Sequence, residues 1–253
     1  MKYFLLNGVI TFFISITYAQ NPIEKEGWIL TFNDEFNDSV LDKTKWQDYY
    51  YWGGRQHEVS KTYYAPNQHI MTDSTLMLKA ERKIVDSDTN YVSGLVDGNK
   101  SFKQKYGYFE IRSKNPTGTG FWPAFWLVTT ESWPPEIDIF EFYTNQPDIL
   151  HTTQHWLNKR GKKKMQPKNH KIDDASADFH TYAIEWTPKK IIWYYDNKKI
   201  RSSRRGVKKM IYPMHIIINN EVSDFKEMDL SKATFPNYFE IDYVRVYQKK
   251  SED

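Results

Sequence analysis

The chain has 253 residues, 40% of them hydrophobic and 17% aromatic, a formal net charge of +3 and no cysteine. The length suits one large β-domain and the apolar content is sufficient for a core, while the lack of cysteine excludes disulfides and a lipidated cysteine. The aromatic residues exceed what a core of this size needs. We therefore expect some rings on a surface, where flat apolar faces stack on sugars, bases or partner proteins.

The amino-terminal residues 1–19 have the features of a secretory signal. Lys2 provides a short basic start, an apolar stretch follows, and small residues precede a cleavage point after Ala19. The interruption at Asn7 leaves an apolar run shorter than the ~20 residues that span a membrane. We expect residues 20–253 to form a single exported domain, secreted or periplasmic, without membrane contact after cleavage.

Ten β-prone runs follow, separated by turn residues, and no long stretch has a 3.6-residue period. This pattern predicts an all-β antiparallel sandwich or barrel with little helix. The runs lie at 27–32, 76–83, 106–114, 121–128, 136–143, 149–156, 180–187, 190–197, 214–221 and 238–248. In the third run Glu110 and Arg112 alternate with Phe109 and Ile111, so one face of that strand is polar.

Positive charge is concentrated in two segments. Residues 159–171 contain seven Lys or Arg, residues 198–209 contain seven more, and neither segment has an acid. One interpretation is two solvated loops, and the other is a surface that meets an anionic polymer. In an exported protein, that polymer would be an acidic or sulfated polysaccharide rather than nucleic acid.

The run at 136–143 carries Glu136, Asp138 and Glu141 among β-prone apolar residues. In a regular strand Glu136 and Asp138 would share a face and Glu141 would be buried. One extra residue between Asp138 and Glu141, as in a β-bulge, returns Glu141 to the acidic face. We therefore predict a bulge at this point of the strand.

With the bulge, the Cα atoms of Glu136 and Glu141 would lie roughly 13 Å apart, and their side chains could lean to the roughly 5–5.5 Å used in retaining glycoside hydrolysis. Crowded carboxyls push their pKa values apart, so that one Glu can act as nucleophile and the other as acid. A calcium site is an alternative, although one strand supplies too few ligands. A solvated acidic stripe is another, and the flanking aromatic and proline residues disfavour it.

The sequence "EIDIFE" resembles the Glu-x-Asp-x-x-Glu active-site signature of glycoside hydrolase family 16. Further segments resemble successive landmarks of that family, in family order, at 32–36, 106–114, 118–127, 179–188 and 239–248. The resemblance spans nearly all of the chain after the signal. It implies a β-jelly-roll sandwich, similar to concanavalin A, with a concave cleft for a polysaccharide and endo-acting, retaining hydrolysis by a monomer without a catalytic cofactor.

Carried over residue by residue, the resemblance makes Glu136 the nucleophile, Glu141 the general acid/base and Asp138 the carboxyl that assists them. It also implies substrate-binding positions, namely Glu110, Arg112, Trp122, Trp133, His155 (beside Glu141) and Asn219. Alternatives stay open: Glu110 and Arg112 could form a surface ion pair, Asn219 could end a strand, His155 could be structural, and Trp126 could be core. Some family members hold a structural calcium away from the cleft, near the positions of Glu35 and Asp242.

Departures from the family pattern bear on the substrate. The Asn-Asn-Glu-Leu-Gln motif of the family's laminarinases is absent, and residues 51–59 include Arg55 and His57 in its place. The extra residue before Glu141 argues against the lichenase and xyloglucan subgroups. The segment 118–127 is nearer to glucanases, whereas the basic segments and Arg55, a further candidate for substrate binding, favour sulfated galactans. We predict a β-1,3- or mixed-linkage β-glucanase, with a galactan hydrolase (agarose, porphyran or carrageenan) or a non-catalytic carbohydrate-binding protein as alternatives.

Overall fold

The computed structural model describes residues 21, 23–56, 60–85 and 88–250. The predicted signal at 1–19 and His57 lie outside the described residues. Within them the chain forms 17 strands and four short 3₁₀-helices, and no helix there is long and apolar enough to cross a membrane. The all-β prediction is confirmed.

The 17 described strands differ widely in length, from three to 13 residues. They are β1 (Trp28–Asp34), β2 (Thr62–Tyr64), β3 (His69–Met71), β4 (Leu76–Val85), β5 (Asp88–Ser93), β6 (Leu95–Asp97), β7 (Gly107–Lys114), β8 (Phe121–Val128), β9 (Glu136–Glu141), β10 (Ile149–Leu157), β11 (Lys163–Met165), β12 (Lys168–Lys171), β13 (His180–Trp186), β14 (Ile191–Tyr195), β15 (Lys198–Ser203), β16 (His215–Val222) and β17 (Asn237–Lys249). The 3₁₀-helices are Pro66–Gln68, Val207–Lys209, Phe225–Glu227 and Leu230–Lys232.

The described strands form two sheets. The ten-stranded sheet has the order β15-β14-β13-β7-β17-β4-β5-β2, with β1 also paired to β17 and β3 to β4. The seven-stranded sheet has the order β11-β10-β9-β8-β16-β6, with β12 also paired to β10. Apart from the parallel pair β2–β5, the neighbouring strands in the two sheets are antiparallel.

The core lies between the two sheets. Phe109 and Ile111 of β7 point into it from the ten-stranded sheet, and Phe125, Ile137 and Ile216 point into it from β8, β9 and β16 of the other sheet. All five side chains are fully buried, and burying each of them contributes about 1.5–3 kcal/mol. Because side chains alternate along a strand, each sheet also has a face that points away from this core.

Candidate active site

A cleft lies on the face of the seven-stranded sheet that points away from the core. Strands β8, β9 and β16 provide its floor. Its lining residues are Tyr50, Trp122, Ala124, Trp126, Trp133, Glu136, Asp138, Glu141, Asn219 and Glu221. Aromatic walls with several carboxyls between them suit the apolar faces and the hydroxyl groups of a sugar.

Strand β9 contains the predicted bulge. Its pairing with both β8 and β10 shifts by one residue between Asp138 and Glu141. Ile139 and Phe140 therefore both point into the core, where they are 2% and 0% exposed. Asp138 and Glu141 both return to the cleft face. Glu136 and Glu141 are separated by four residue steps of β8, roughly 13 Å between Cα atoms.

Glu136 has two polar neighbours at one end of the cleft. The indole Nε1 of Trp133 donates a 2.9 Å hydrogen bond to Glu136 Oε2. The imidazole Nε2 of His155 lies 3.5 Å from Glu136 Oε1 and 3.3 Å from Asp138 Oδ2. Both contacts favour the ionised form of Glu136, as a nucleophile requires.

His155 therefore lies elsewhere than predicted. The expectation that it sits beside Glu141 is wrong, because the antiparallel register of β10 against β9 places His155 opposite Glu136. Glu141 instead accepts a 3.2 Å hydrogen bond from the hydroxyl of Thr153, which lies on β10 like His155. Thr153 did not stand out in the sequence, although it lies two residues from His155 and so shares its strand face.

Burial dominates the electrostatics of the three acids. It raises the pKa of Glu136 to about 8, with repulsion from Asp138 as the next cause. Burial also raises the pKa of Asp138 well above its usual value, and repulsion from Glu141 is the second cause. Burial also raises the pKa of Glu141, against the opposing hydrogen bond from Thr153. Burial thus favours the protonated form of all three acids, which suits Glu141 as a general acid, and the contacts of Trp133 and His155 oppose it at Glu136.

The aromatic wall is held by contacts outside the acid cluster. Trp126 Nε1 donates a 2.8 Å hydrogen bond to Asn219 Oδ1, and Asn219 Nδ2 donates to the hydroxyl of Tyr64 at 3.2 Å. Trp122 stacks on Phe225 with ring centroids 5.2 Å apart. The positions of Trp122, Trp133 and Asn219 in the cleft agree with the prediction. Trp126 lines the cleft as well and also packs against a small buried cluster.

Residues 45–245 match the family model described as glycosyl hydrolases family 16. The chain belongs to this family. A β-glucanase of Rhodothermus marinus is 30% identical over 256 residues, covering 87% of this chain and 85% of that protein. The endo-1,3-1,4-β-glycanase EglC of Rhizobium meliloti is 30% identical over 240 residues, covering 86% of this chain. The chain spans about half the length (51%) of that second relative.

Solved structures agree with the family assignment. The non-specific endo-β-1,3(4)-glucanase SCLam, described as a member of family 16, superposes with a TM-score of 0.79 at 26% identity. The match covers 89% of this chain and 93% of that one. The predicted jelly-roll sandwich is thereby confirmed.

A fourth carboxyl in the family 16 cleft was missed from the sequence. Glu221 on β16 lines the cleft beside Trp122, its register partner on β8. Burial raises the pKa of Glu221 to about 7, and repulsion from Glu141 adds to the effect. Asn219 and Glu221 are two residues apart on one strand and share a face. The prediction for Asn219 therefore already implied that Glu221 faces the substrate.

Glu221→Gln is expected to shift the alkaline limb of the pH profile. An ionised Glu221 disfavours ionisation of Glu141, so its removal lowers the pKa of Glu141 and the acid loses its proton at a lower pH. We expect the upper pKa in the kcat/KM profile to fall by about half a unit or more. Profiles of both enzymes on one soluble glucan measure this, and superimposable alkaline limbs would contradict it.

The cleft roles predicted for Glu110 and Arg112 are wrong. Both belong to β7 in the ten-stranded sheet, on the face away from the core, and so lie on the opposite side of the sandwich from the cleft. Glu110 accepts 2.9 Å hydrogen bonds from the hydroxyls of Tyr108 and Tyr243, and Arg112 pairs with Asp242. Both side chains are structural on this face.

Arg55 is also structural rather than substrate-binding. Its guanidinium donates to the backbone carbonyls of Asp48 and Tyr64 at 2.8 and 3.0 Å and to the carboxylate of Asp48 at 2.9 Å. It is not among the cleft-lining residues. A guanidinium has a fixed set of donors, and here they hold the segment before β2 instead of pointing to a sugar.

The carboxylates of Glu35 and Asp242 do not fit the calcium site expected for some members of the family. Both oxygens of Glu35 accept from Arg245, at 2.9 and 2.7 Å, and Asp242 pairs with Arg112. Each carboxylate is thus neutralised by a guanidinium. Among the described residues, the other candidate for a metal is the group Glu136, Asp138 and His155, whose ligand atoms lie within 4.8 Å of one another. Three ligands fall short of the six to eight that calcium takes.

Proposed function

We propose that this chain is a retaining endo-β-glycanase that hydrolyses internal linkages of β-1,3- or mixed-linkage β-glucan. The observation that supports this most is the bulged strand β9, which brings Glu136 and Glu141 to one face of an aromatic-walled cleft. The relatives named above as β-glucanase and endo-1,3-1,4-β-glycanase support the substrate class. Export as a monomer stays a prediction.

The proposed first step proceeds from the fraction of the protein in which Glu136 is ionised and Glu141 is protonated, and the contacts of Glu136 with Trp133 and His155 increase that fraction. In this step the carboxylate of Glu136 attacks the anomeric carbon, and Glu141 gives its proton to the departing glycosidic oxygen. Trp133 and His155 hold Glu136 as the bond forms. In the second step Glu141, now ionised, takes a proton from water, and the hydroxyl attacks the anomeric carbon as Glu136 leaves. Two inversions give net retention. Asp138 shares a hydrogen bond with Glu136, and this bond assists Glu136 as its carboxylate loses its charge on forming the covalent bond and regains it on leaving.

A substrate panel tests this function. Release of reducing ends should be assayed on laminarin, lichenan, agarose, porphyran and carrageenan, and NMR should follow the anomer of the first product. We expect release from laminarin or lichenan, with the β-anomer formed first. Binding of these polysaccharides without any release would instead support the carbohydrate-binding alternative.

A further inference from the structure

Both basic segments lie on the β10 side of the acid-bearing strand β9. Strands β11 and β12 carry much of the segment 159–171 and both pair with β10, which in turn pairs with β9. Of the seven positive side chains in this segment, Lys171 pairs with Asp148, and no other forms an ion pair with an acid within the described ranges. Its side chains at 159, 160 and 162–164 are exposed. Their charges are therefore available to a partner.

One of these side chains reaches the cleft itself. Lys163 lies opposite Leu157 and Met165 lies opposite His155 in the β10–β11 pair. Residues that pair directly, or lie two apart on a strand, share a face, so Lys163 lies on the same face as His155. Its Nζ is 4.2 Å from the centroid of the Trp133 ring. Trp133 in turn donates a hydrogen bond to Glu136.

The second basic segment adjoins the first. Arg201 on β15 donates to the backbone carbonyl of Gln166 at 2.8 Å, and the hydroxyl of Ser203 donates to the Gln166 side chain at 2.9 Å. β15 is the edge strand of the ten-stranded sheet, so the edges of the two sheets meet here. The exposed Arg204 and Arg205 extend the positive surface around this edge.

A polysaccharide that crosses the floor of the cleft approaches these charges. The cleft extends over β16, β8 and β9, and β10 and β11 are the next strands in the same sheet. β11 is two strands from β9, roughly 10 Å. A glycan chain that continues across the sheet past Glu136 therefore runs over Trp133 toward Lys163.

We propose that the basic hairpin, residues 157–165, is a subsite that binds anionic groups on the substrate, sulfate or carboxylate, beyond the cleavage point. The inference rests on the proposed endo-glycanase function and narrows its substrate to a β-glycan that bears negative charge. The exposed lysines, which have no acidic partners within the described part of the protein, match the negative groups of such a chain. The tryptophan ring beside them matches the apolar faces of its sugar rings.

Three glucans with one backbone test the subsite: laminarin, sulfated laminarin and carboxymethyl laminarin, each with a low degree of substitution. The hairpin variant carries Lys159→Gln, Lys162→Gln and Lys163→Gln. The matched control removes three exposed lysines elsewhere, with Lys189→Gln, Lys249→Gln and Lys250→Gln. The measured quantity is the ratio of kcat/KM on each anionic glucan to kcat/KM on laminarin, at low and high salt.

In the wild-type protein we expect a ratio above one that falls as salt rises, because exposed charges are screened. In the hairpin variant the ratio of kcat/KM on the anionic glucan to kcat/KM on laminarin should be about tenfold lower than in the wild-type protein. In the control variant this ratio should change less than twofold. The anion that gives the larger ratio identifies the group bound. Equal ratios in both variants, with laminarin still hydrolysed, would overturn the subsite and leave the proposed function intact. No hydrolysis of any glucan, with hairpin-dependent binding of sulfated laminarin in affinity electrophoresis, would overturn the function and not the subsite.

Discussion

Glu136→Gln is expected to lower kcat on β-glucan by roughly four orders of magnitude or more, because an amide cannot form the covalent glycosyl-enzyme. Glu141→Gln is expected to cost about 10²–10⁴-fold, the usual contribution of a general acid and base. Both residues belong to one strand and face one cleft. Glu240→Gln on the far side of the sandwich is the matched control, and it should keep full activity because its strand β17 belongs to the ten-stranded sheet.

A substrate with an activated leaving group separates the two roles. An aryl β-glycoside whose phenol departs without a proton bypasses the acid in the first step but still needs the nucleophile. With this substrate, Glu141→Gln should release a burst of phenol and then stall, whereas Glu136→Gln should release none. Burst kinetics measure the difference. A burst from Glu136→Gln and none from Glu141→Gln would reverse the assignment of roles.

The second large effect is on stability, and it depends on pH. Burial raises the pKa of Glu136 to about 8 in the folded protein, against 4.5 for an ordinary Glu. A carboxyl whose pKa is raised by folding binds its proton more tightly in the folded state, so its contribution to stability falls as pH rises from about 4.5 to 8. Glu136→Gln removes this penalty. We expect the variant to be more stable than wild type by about 4 kcal/mol at pH 8, with Tm higher by about 10 °C.

At pH 5 the gain should be smaller, because Glu136 keeps its proton in the folded protein there. Urea unfolding of both proteins at the two pH values gives the four free energies of unfolding. Glu240→Gln again serves as control and should show no pH-dependent gain. A Glu136→Gln protein that is less stable than wild type at pH 8 would show that Glu136 is stabilised by Trp133 and His155 more than burial destabilises it.

The sequence predicted the long strands better than the short ones. All ten β-prone runs contain a strand, because each has enough apolar residues to show which face is buried. Strands β2, β3, β6, β11 and β12 have only three or four residues, too few to display alternation. β11 and β12 are also rich in lysine, and their pairing with β10 comes from their neighbours rather than from their own β-propensity.

The part of the candidate site that lies within one strand, the acids of β9, was predicted correctly from the sequence. The order of acids and apolar residues in 136–141 requires a bulge if no carboxylate is to enter the core, and the register of β9 contains it. Predictions for positions on other strands were right in some cases and wrong in others. Trp122 and Asn219 lie in the cleft as predicted, whereas Glu110 and Arg112 lie on the far side of the sandwich. Alternation shows that a strand has two faces, but it does not show to which sheet the strand belongs.

By itself, therefore, the sequence determined the β-class of the fold, the two-faced acid strand and its bulge, because these depend on the local order of polar and apolar residues. Only the tertiary structure decided which polar faces meet. It placed Glu221 and Glu141 in one cleft, His155 next to Glu136, and Lys163 of a lysine-rich segment over the ring of Trp133. These contacts depend on strand order and register across the sheet, which residues distant in sequence determine together.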